Sequence, residues 1–352
     1  MNKFVPCFVL GLTLLSAGND RQHHNSDELF AKEEPIEITL RGDLSSLMKD
    51  RGQDPQYHNL TLSFRDGEKS ASISLRSKVR GHFRKDESNC SYPPLLLNFG
   101  RASALENTPF AGQEKMKLVM PCRGDRYVAR EYLVYRIYNL ITPKSFKARL
   151  TRVTLEDSVK GKTTESFYGI LLEEESQMAA RNGNVPVEGR IVRPESTVRE
   201  DFLRMAVFEY LIGNTDWSVQ YLQNVKLMAP QPDAQAIPVP YDFDHAGIVA
   251  APYAKPSEML ELASTRTRRY RGFCIEDMTV YQAVFDQFNA IRTQLYALYS
   301  ENRLVDGSYI KTTTKFLDEF YKTINDPKLA RREFRYPCDG STANVVIKPL
   351  DK

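Results

Sequence analysis

The chain has 352 residues, of which 41% are hydrophobic and 26% charged, as in an ordinary globular protein with one large or two smaller domains. Its 48 lysines and arginines nearly match its 45 acidic residues, and the net charge of +3 argues against a nucleic-acid-binding protein. The densest basic run, residues 266–271, is interpreted as a solvated face, with contact to phosphate or to an acidic partner as the alternative.

Residues 1–17 predict a secretory signal peptide. A short basic start precedes an apolar run over residues 4–15, and small residues follow it, which is the order typical of such leaders. The run is shorter than the about 20 apolar residues that a membrane-spanning helix needs; a buried N-terminal strand or helix is the alternative. No later stretch is apolar enough to cross a bilayer. We therefore expect an exported protein without a membrane span, located in the periplasm, at the cell surface or in the medium.

The pattern along the chain changes from strands to helices. Residues 18–35 are polar and charged, which predicts a disordered lead-in. Alternating and apolar runs then predict strands, and apolar residues at helical spacing predict helices further on. The predicted strands are 36–40, 60–64, 71–75, 95–99, 116–120, 148–155, 167–172, 224–228 and 237–241, and the predicted helices are 127–141, 198–212, 280–299 and 313–324. The sum is an α+β fold with a strand-rich N-terminal lobe (36–196), a helix-rich C-terminal lobe (197–352) and a cleft between them.

Four cysteines follow the predicted leader: Cys90, Cys122, Cys274 and Cys338. An even number in an exported chain indicates disulfides, with three possible connectivities, and buried free thiols are the alternative. The spacing is not that of a zinc site. Pairing within each half, Cys90 with Cys122 and Cys274 with Cys338, is the hypothesis we adopt, because it leaves the cleft uncrossed.

The window 213–227 carries the most chemical information. Gly213 ends a predicted helix, so the residues after it form a loop that offers the Asp216 carboxylate and the Asn224 amide just before a short strand. A second short strand then leads to Asp242 and Asp244. Phosphoryl transfer needs a group that orients the attacking hydroxyl and oxygen ligands that hold a divalent metal against the phosphates, and kinases present Asp, Asn and Asp in this order.

Each of these residues also has a simpler interpretation. Asp216 is a natural turn residue after Gly213, and Asp242 and Asp244 are suited to bind calcium or to end a hairpin. A hydrolytic dyad of Asp244 and His245 is not supported, because no Gly-x-Ser-x-Gly motif accompanies it. Three oxygen-bearing residues in kinase order favour the phosphotransferase interpretation over each single alternative.

The motif Gly-Asn-x-Asp-Trp at residues 213–217, with Asn224 and the aromatic-Asp-Phe-Asp segment at 241–244, resembles the spore-coat CotH family of atypical secreted kinases. Upstream, the basic strand exit at 78–84 and the segment 168–175 are similar to the family's pattern. The resemblance extends over roughly residues 36–298, and it is sharpest around Asp216 and Asp242.

The resemblance implies a divergent two-lobed protein-kinase-like fold that transfers phosphate from ATP to hydroxyl groups of a protein substrate, with Mg or Mn. In this family pattern Asp216 matches the catalytic aspartate, Asn224 the metal ligand of the loop, and Asp242 the main metal-binding aspartate. Asp244 matches a supporting carboxylate at the metal.

The nucleotide-binding residues follow the family pattern less closely. Glu175 matches a glutamate near the nucleotide by its spacing, and Glu173 on the same strand face is the alternative. The family's lysine-rich segment is replaced here, which leaves Lys117 as the first candidate for a phosphate-binding lysine and Lys78 as the second. The gap from Asp216 to Asn224 is longer than in the usual kinase loop, so residues 217–222 are expected to bulge or coil.

Two other functions remain open at this level. The first is a catalytically weak, pseudokinase-like module of the cell envelope that binds a nucleotide or a protein, favoured by the altered lysine region and the scarcity of ATP outside the cytoplasm. The second is a structural surface protein whose acidic loops bind calcium.

Overall fold

The computed structural model describes residues 28–100, 105–256 and 258–338. Strands dominate before residue 187 and helices after residue 198, so the predicted α+β fold, with a strand-rich N-terminal part and a helix-rich C-terminal part, is confirmed. The predicted signal peptide, residues 1–17, lies outside the described residues.

The N-terminal strands form one sheet that closes on itself. Its strands are β1 (Ile36–Gly42), β2 (His58–Asp66), β3 (Lys69–Val79), β4 (Leu95–Asn98), β5 (Lys115–Val119), β6 (Ala148–Asp157), β7 (Lys162–Thr163) and β8 (Phe167–Leu172). Strand β1 pairs antiparallel with β2 and parallel with β6, which closes the order β1-β2-β3-β4-β5-β8-β6, and β7 pairs antiparallel with the end of β6. The closing pair joins residues more than a hundred positions apart, and alternation within each strand carries no information about such a pairing.

The interior of the closed sheet is an apolar core. Along β2, Leu60, Leu62 and Phe64 are buried while the residues between them are more exposed, as expected for a strand with one face inside. The outer face of β8 is apolar as well, because Ile170 and Leu172 pack with the helical core. The sheet therefore has two apolar surfaces, one enclosed and one covered by helices.

The described residues also contain the helices and a second, smaller sheet. The helices are α1 (Glu28–Ala31), α2 (Leu44–Lys49), α3 (Asp125–Ile141), α4 (Glu175–Arg181), α5 (Arg199–Ile212), α6 (Gln282–Ala290), α7 (Arg292–Ser300), α8 (Gly307–Asn325) and α9 (Pro327–Phe334). The smaller sheet has the order β11 (Ile237–Pro240), β10 (Val225–Ala229), β9 (Val185–Pro186). In the part of the chain that the structure describes, no helix has both the length and the apolar character to cross a membrane.

Two helices carry the candidate site on their ends and faces. Helix α3 packs against the outer face of β6 and β8. Helix α5 is buried along its whole length from Asp201 onward, which makes it the central helix of the C-terminal core. The loop that follows α5 is therefore anchored on a rigid element.

The predicted disordered lead-in, residues 18–35, is only partly described, and over residues 28–35 the prediction is wrong. Leu29 of α1 is fully buried against the closed sheet. The fully buried guanidinium of Arg149 donates hydrogen bonds to the carbonyls of Leu29 and Glu34, both at 2.8 Å. A buried arginine needs such acceptors, and the lead-in supplies them.

The two predicted disulfides are both present. Cys90 is bonded to Cys122, and Cys274 to Cys338, with sequence separations of 32 and 64 residues. Each bond stays within one half of the chain, so the confirmed connectivity leaves the junction between the halves uncrossed.

Candidate functional site

The site begins where α5 ends. Gly213 adopts the left-handed conformation with a φ of 68°, and the Asn214 backbone N–H donates to the carbonyl of Glu209 at 2.9 Å. The chain then turns through Asn214, whose side-chain oxygen accepts a hydrogen bond of 3.0 Å from the Asp216 N–H. The helix end and the Asn214 turn thus fix the backbone on which Asp216 stands.

The long gap between Asp216 and Asn224 is taken up by a small hairpin. Ser218 and Gln223 exchange two backbone hydrogen bonds of 2.9 and 3.0 Å, so the chain bulges between them as predicted, with Tyr221 and Leu222 exposed at the tip and Val219 buried. The Asn224 amide returns to donate to the backbone carbonyl of Asp216 at 2.7 Å and to its Oδ2 at 3.0 Å. The Gln223 amide donates to Oδ1 of the same carboxylate. Two amide groups therefore hold Asp216 in one orientation.

Strand pairing brings Asp242 to the same place. In the β10–β11 ladder Val225 lies opposite Pro240, and the Tyr241 N–H donates to the carbonyl of Asn224 at 3.0 Å. Asn224 directly precedes β10 and Asp242 follows β11, so the two residues lie at the same end of this strand pair. Both have a positive φ, 51° and 64°, which is uncommon for residues other than glycine and is concentrated at functional sites.

A lysine from the closed sheet completes the cluster. Lys117 of β5 is 7% exposed in its side chain, and its Nζ lies 2.9 Å from Oδ2 of Asp242. The Asp242 N–H also donates to the hydroxyl of Tyr135 at 2.9 Å. Burial acts to raise the pKa of Asp242, but the Lys117 ammonium and the Arg84 guanidinium outweigh it and hold that pKa below its ordinary value.

Asp216 lies in a different electrostatic environment from Asp242. Burial raises the pKa of Asp216; the nearby Asp244 and Asp242 act in the same direction, and His245 and Arg271 in the opposite one. Asp242 is thus paired directly with the Lys117 ammonium, whereas the Asp216 carboxylate accepts hydrogen bonds from the amides of Gln223 and Asn224.

Sequence reasoning missed a buried ion-pair group beside these residues. Arg84 lies 2.9 Å from the Glu131 carboxylate on α3 and 2.8 Å from the Asp244 carboxylate, and all three side chains are almost fully buried. Burial raises the pKa of Glu131 to about 7, although Arg84 opposes that rise. The sequence held a signal, because Glu131 stands on the same helical face as the buried Val128 and Tyr135, where an apolar residue is expected.

The expected metal ligands are close together without forming a cage of acidic groups. Among residues 28–100, 105–256 and 258–338, no three His, Cys, Asp or Glu side chains are grouped to hold a metal ion. Asp244 uses its Oδ2 on Arg84, as described above. Asn224 and Asp242 are therefore the better-placed pair of the three expected ligands.

Three other residues from the sequence analysis have different partners. Lys78 lies over the ring of Tyr57, 5.1 Å from its centroid. Glu175 at the start of α4 pairs with Lys226 at 2.7 Å. Glu173, its alternative, is buried and holds Arg181 through two hydrogen bonds of 2.9 and 3.0 Å. Of the two candidate lysines, the structure brings only Lys117 to Asp242.

Comparison with known proteins adds a distant structural likeness. No protein-family model and no curated protein matches the chain. Among solved structures, the chain is similar to the Helicobacter pylori proinflammatory kinase CtkA, with a TM-score of 0.42 and 11% sequence identity over 73% of this chain and 94% of the other. The resemblance to the CotH family stays a prediction, and the function is argued from the side chains of the site.

Proposed function

We propose that the protein is an exported, kinase-like phosphotransferase that uses ATP and Mg or Mn to phosphorylate hydroxyl groups of a protein substrate. One observation carries this proposal: Lys117, the Asp216–Asn224 hairpin and Asp242, which lie on three separate segments of the chain, form one cluster at the junction of the closed sheet and the helical core. These are the residue types that phosphoryl transfer needs, in the order in which kinases carry them.

The donor set of the site fits a metal ion that is held partly by phosphate. The Asn224 amide nitrogen is engaged by Asp216, so the amide oxygen is the atom that remains for a cation. Asp242 adds a carboxylate at the same end of the β10–β11 strand pair. Magnesium uses one or two carboxylates together with nucleotide phosphates, whereas calcium requires six to eight oxygens. This difference favours the nucleotide–metal interpretation over the calcium-binding scaffold.

The residues of the chain have distinct roles in this proposal. When bound, the metal–nucleotide complex supplies the phosphoryl group and neutralises its charge. Lys117 balances the charge of Asp242 and adds positive charge where phosphates would lie. Asp216, oriented by Gln223 and Asn224, accepts the hydrogen bond of the acceptor hydroxyl. Asp244 supports the site through Arg84.

A second candidate, a pseudokinase-like binding module of the cell envelope, is favoured by one contact. Active protein kinases pair the strand lysine with a helix glutamate, but here Glu131 pairs with Arg84, and Lys117 pairs with Asp242. Such a protein would bind a nucleotide or a protein partner without transferring phosphate.

Export is supported by the covalent structure. The two disulfides, Cys90–Cys122 and Cys274–Cys338, are typical of proteins that fold in an oxidising compartment. We therefore extend the proposal to a protein of the periplasm, the cell surface or the medium.

The test combines ATP binding with phosphate transfer. ATP with magnesium or manganese, at about a hundred times its Kd, should stabilise the wild type by about 2.7 kcal/mol. Asp242→Asn should lose this effect, because asparagine keeps the left-handed backbone but removes the charge that holds the metal. Asp233→Asn, in the exposed turn between β10 and β11, is the matched control and should behave as wild type.

Transfer is measured by labelling the protein and co-secreted proteins with radioactive ATP. Asp216→Asn should retain ATP binding and lose transfer by orders of magnitude, because the neutral amide is a poor acceptor for the hydroxyl proton. Equal labelling by this variant and the wild type would contradict the catalytic role. ATP binding without any transfer by the wild type would favour the pseudokinase-like module, and the absence of any ATP effect would refute both.

A further inference from the structure

The basic run at residues 266–271 does not form the solvated face that its composition predicts. Arg266 and Arg268 turn inward and donate to the carbonyls of Gly247 at 3.3 Å and of Leu211 at 3.1 Å. Arg269 alone among the arginines of the run is exposed. Burial lowers the pKa of Arg268 to about 10, so the guanidinium stays charged at neutral pH. Arg266 and Arg268 therefore bind main-chain carbonyls of the folded protein.

This segment lies directly against the loop that carries Asp216. A Cβ on Gly213 would lie 3.1 Å from the Thr265 carbonyl oxygen, and a Cβ on Gly247 would collide with the same atom. The two glycines thus allow a close approach of the backbone that other residues would prevent. Gly247 also donates its N–H to the carbonyl of Gly213 at 3.1 Å. We call residues 265–271 the arginine segment.

Arg271, the last residue of the arginine segment, contacts the main chain on both sides of Asp216. Its Nη1 donates to the carbonyl of Thr215 at 3.0 Å and also to the carbonyl of Trp217. The guanidinium lies over the Trp217 ring, 4.7 Å from the centroid. The Thr215 carbonyl belongs to the peptide unit directly before Asp216, and the Trp217 carbonyl to the residue directly after it, so Arg271 restrains the backbone on both sides of Asp216.

The far end of the arginine segment is fixed as well. Phe273 packs against Phe202 of α5 with ring centroids 5.0 Å apart. The disulfide between Cys274 and Cys338 then ties the chain to the segment after α9. Arg271 is therefore held on an immobilised stretch and can act as a fixed support.

We propose that Arg271 is a positioning residue for Asp216. It holds the Thr215 and Trp217 carbonyls, while Gln223 and Asn224 hold the carboxylate itself. A misplacement of a catalytic group by about 1 Å lowers the rate strongly without lowering substrate binding. The catalytic consequence rests on the proposed phosphoryl transfer, whereas the support of the loop does not depend on it.

The experiment uses the full chain with its disulfides intact and compares Arg271→Lys with Arg269→Lys. Lysine keeps the charge but lacks the several fixed N–H groups with which arginine bonds two carbonyls at once. Backbone amide exchange should rise about tenfold in residues 214–224 of Arg271→Lys and stay unchanged in the closed sheet. In Arg269→Lys the exchange should equal that of the wild type, because Arg269 is exposed.

Kinetics provide the second measurement. Arg271→Lys should lower kcat by about tenfold or more and leave KM for ATP within about twofold, since only the acceptor side of the site is displaced. Unchanged exchange in residues 214–224 would overturn the inference whether or not the protein transfers phosphate. Faster exchange throughout the protein would also overturn it, because positioning predicts a local change. If the wild type transfers no phosphate, the proposed function is refuted. The exchange data would still show whether Arg271 supports the loop that carries Asp216.

Discussion

Replacement of Glu209 by glutamine tests the electrostatics beneath the candidate site. Glu209 lies in the last turn of α5 and is only 1% exposed, so its carboxyl group is removed from water. Burial raises the pKa of Glu209 well above its ordinary value, and the neighbouring Asn214 amide and Arg271 guanidinium offset this only in part. The folded protein therefore keeps this carboxyl protonated at pH values where the unfolded chain has released the proton.

The sign of the effect on stability follows from this difference. Above the unfolded pKa the folded state binds one more proton than the unfolded state, so the free energy of unfolding falls as the pH rises, until the pH passes the folded pKa. The slope is about 1.4 kcal/mol per pH unit for a single proton. Over the assay range of about pH 5.5 to 7.5 the wild type should lose stability through Glu209 at up to about 1.4 kcal/mol per pH unit, a loss that a glutamine at this position does not incur.

The assay is urea unfolding at several pH values within this range. Glu209→Gln should become more stable relative to the wild type as the pH rises, with a steadily widening gap. Glu188→Gln is the control, because Glu188 is exposed and removal of its charge should leave the pH dependence of the wild type unchanged. Parallel curves for Glu209→Gln and the wild type would show that Glu209 is ionised in the folded protein, which would refute the reasoning.

Two further predictions concern stability. Replacing Cys90 and Cys122 together by serine should lower the free energy of unfolding by about 3 kcal/mol, because their bond closes a loop with a sequence separation of 32 residues; an unchanged urea midpoint would contradict this. Leu29→Ala should cost about 2–5 kcal/mol, since Leu29 is fully buried, whereas Val159→Ala at a position 70% exposed should be nearly neutral. Equal thermal midpoints for these two variants would show that α1 does not contribute to the core.

Local sequence patterns predicted the parts of the site that depend on neighbouring residues. Gly213 indicated the end of a helix, and the spacing of Asp216 and Asn224 indicated a bulge or coil, which is the hairpin closed by Ser218 and Gln223. Both disulfides agree with the pairing hypothesised from the sequence, which by itself left three connectivities open.

Residues that act at a distance could not be predicted in this way. Lys117 and Lys78 are both strand lysines, and only the closed sheet brings Lys117 to Asp242 while Lys78 lies over Tyr57. Arg84 gives no sign in the sequence of its two buried carboxylate partners, since they lie 47 and 160 residues away.

The sequence by itself determined the order of the elements and the chemistry available on each loop. The tertiary structure decided the closure of the sheet, the ordering of residues 28–35 and the inward direction of the arginine segment. The physical reason is that the neighbours of a charged or polar residue in the folded protein determine whether it contacts water or other protein groups. The composition of residues 266–271 favours water, but the carbonyls at Leu211, Thr215 and Trp217 offer these arginines acceptors that only the folded chain assembles.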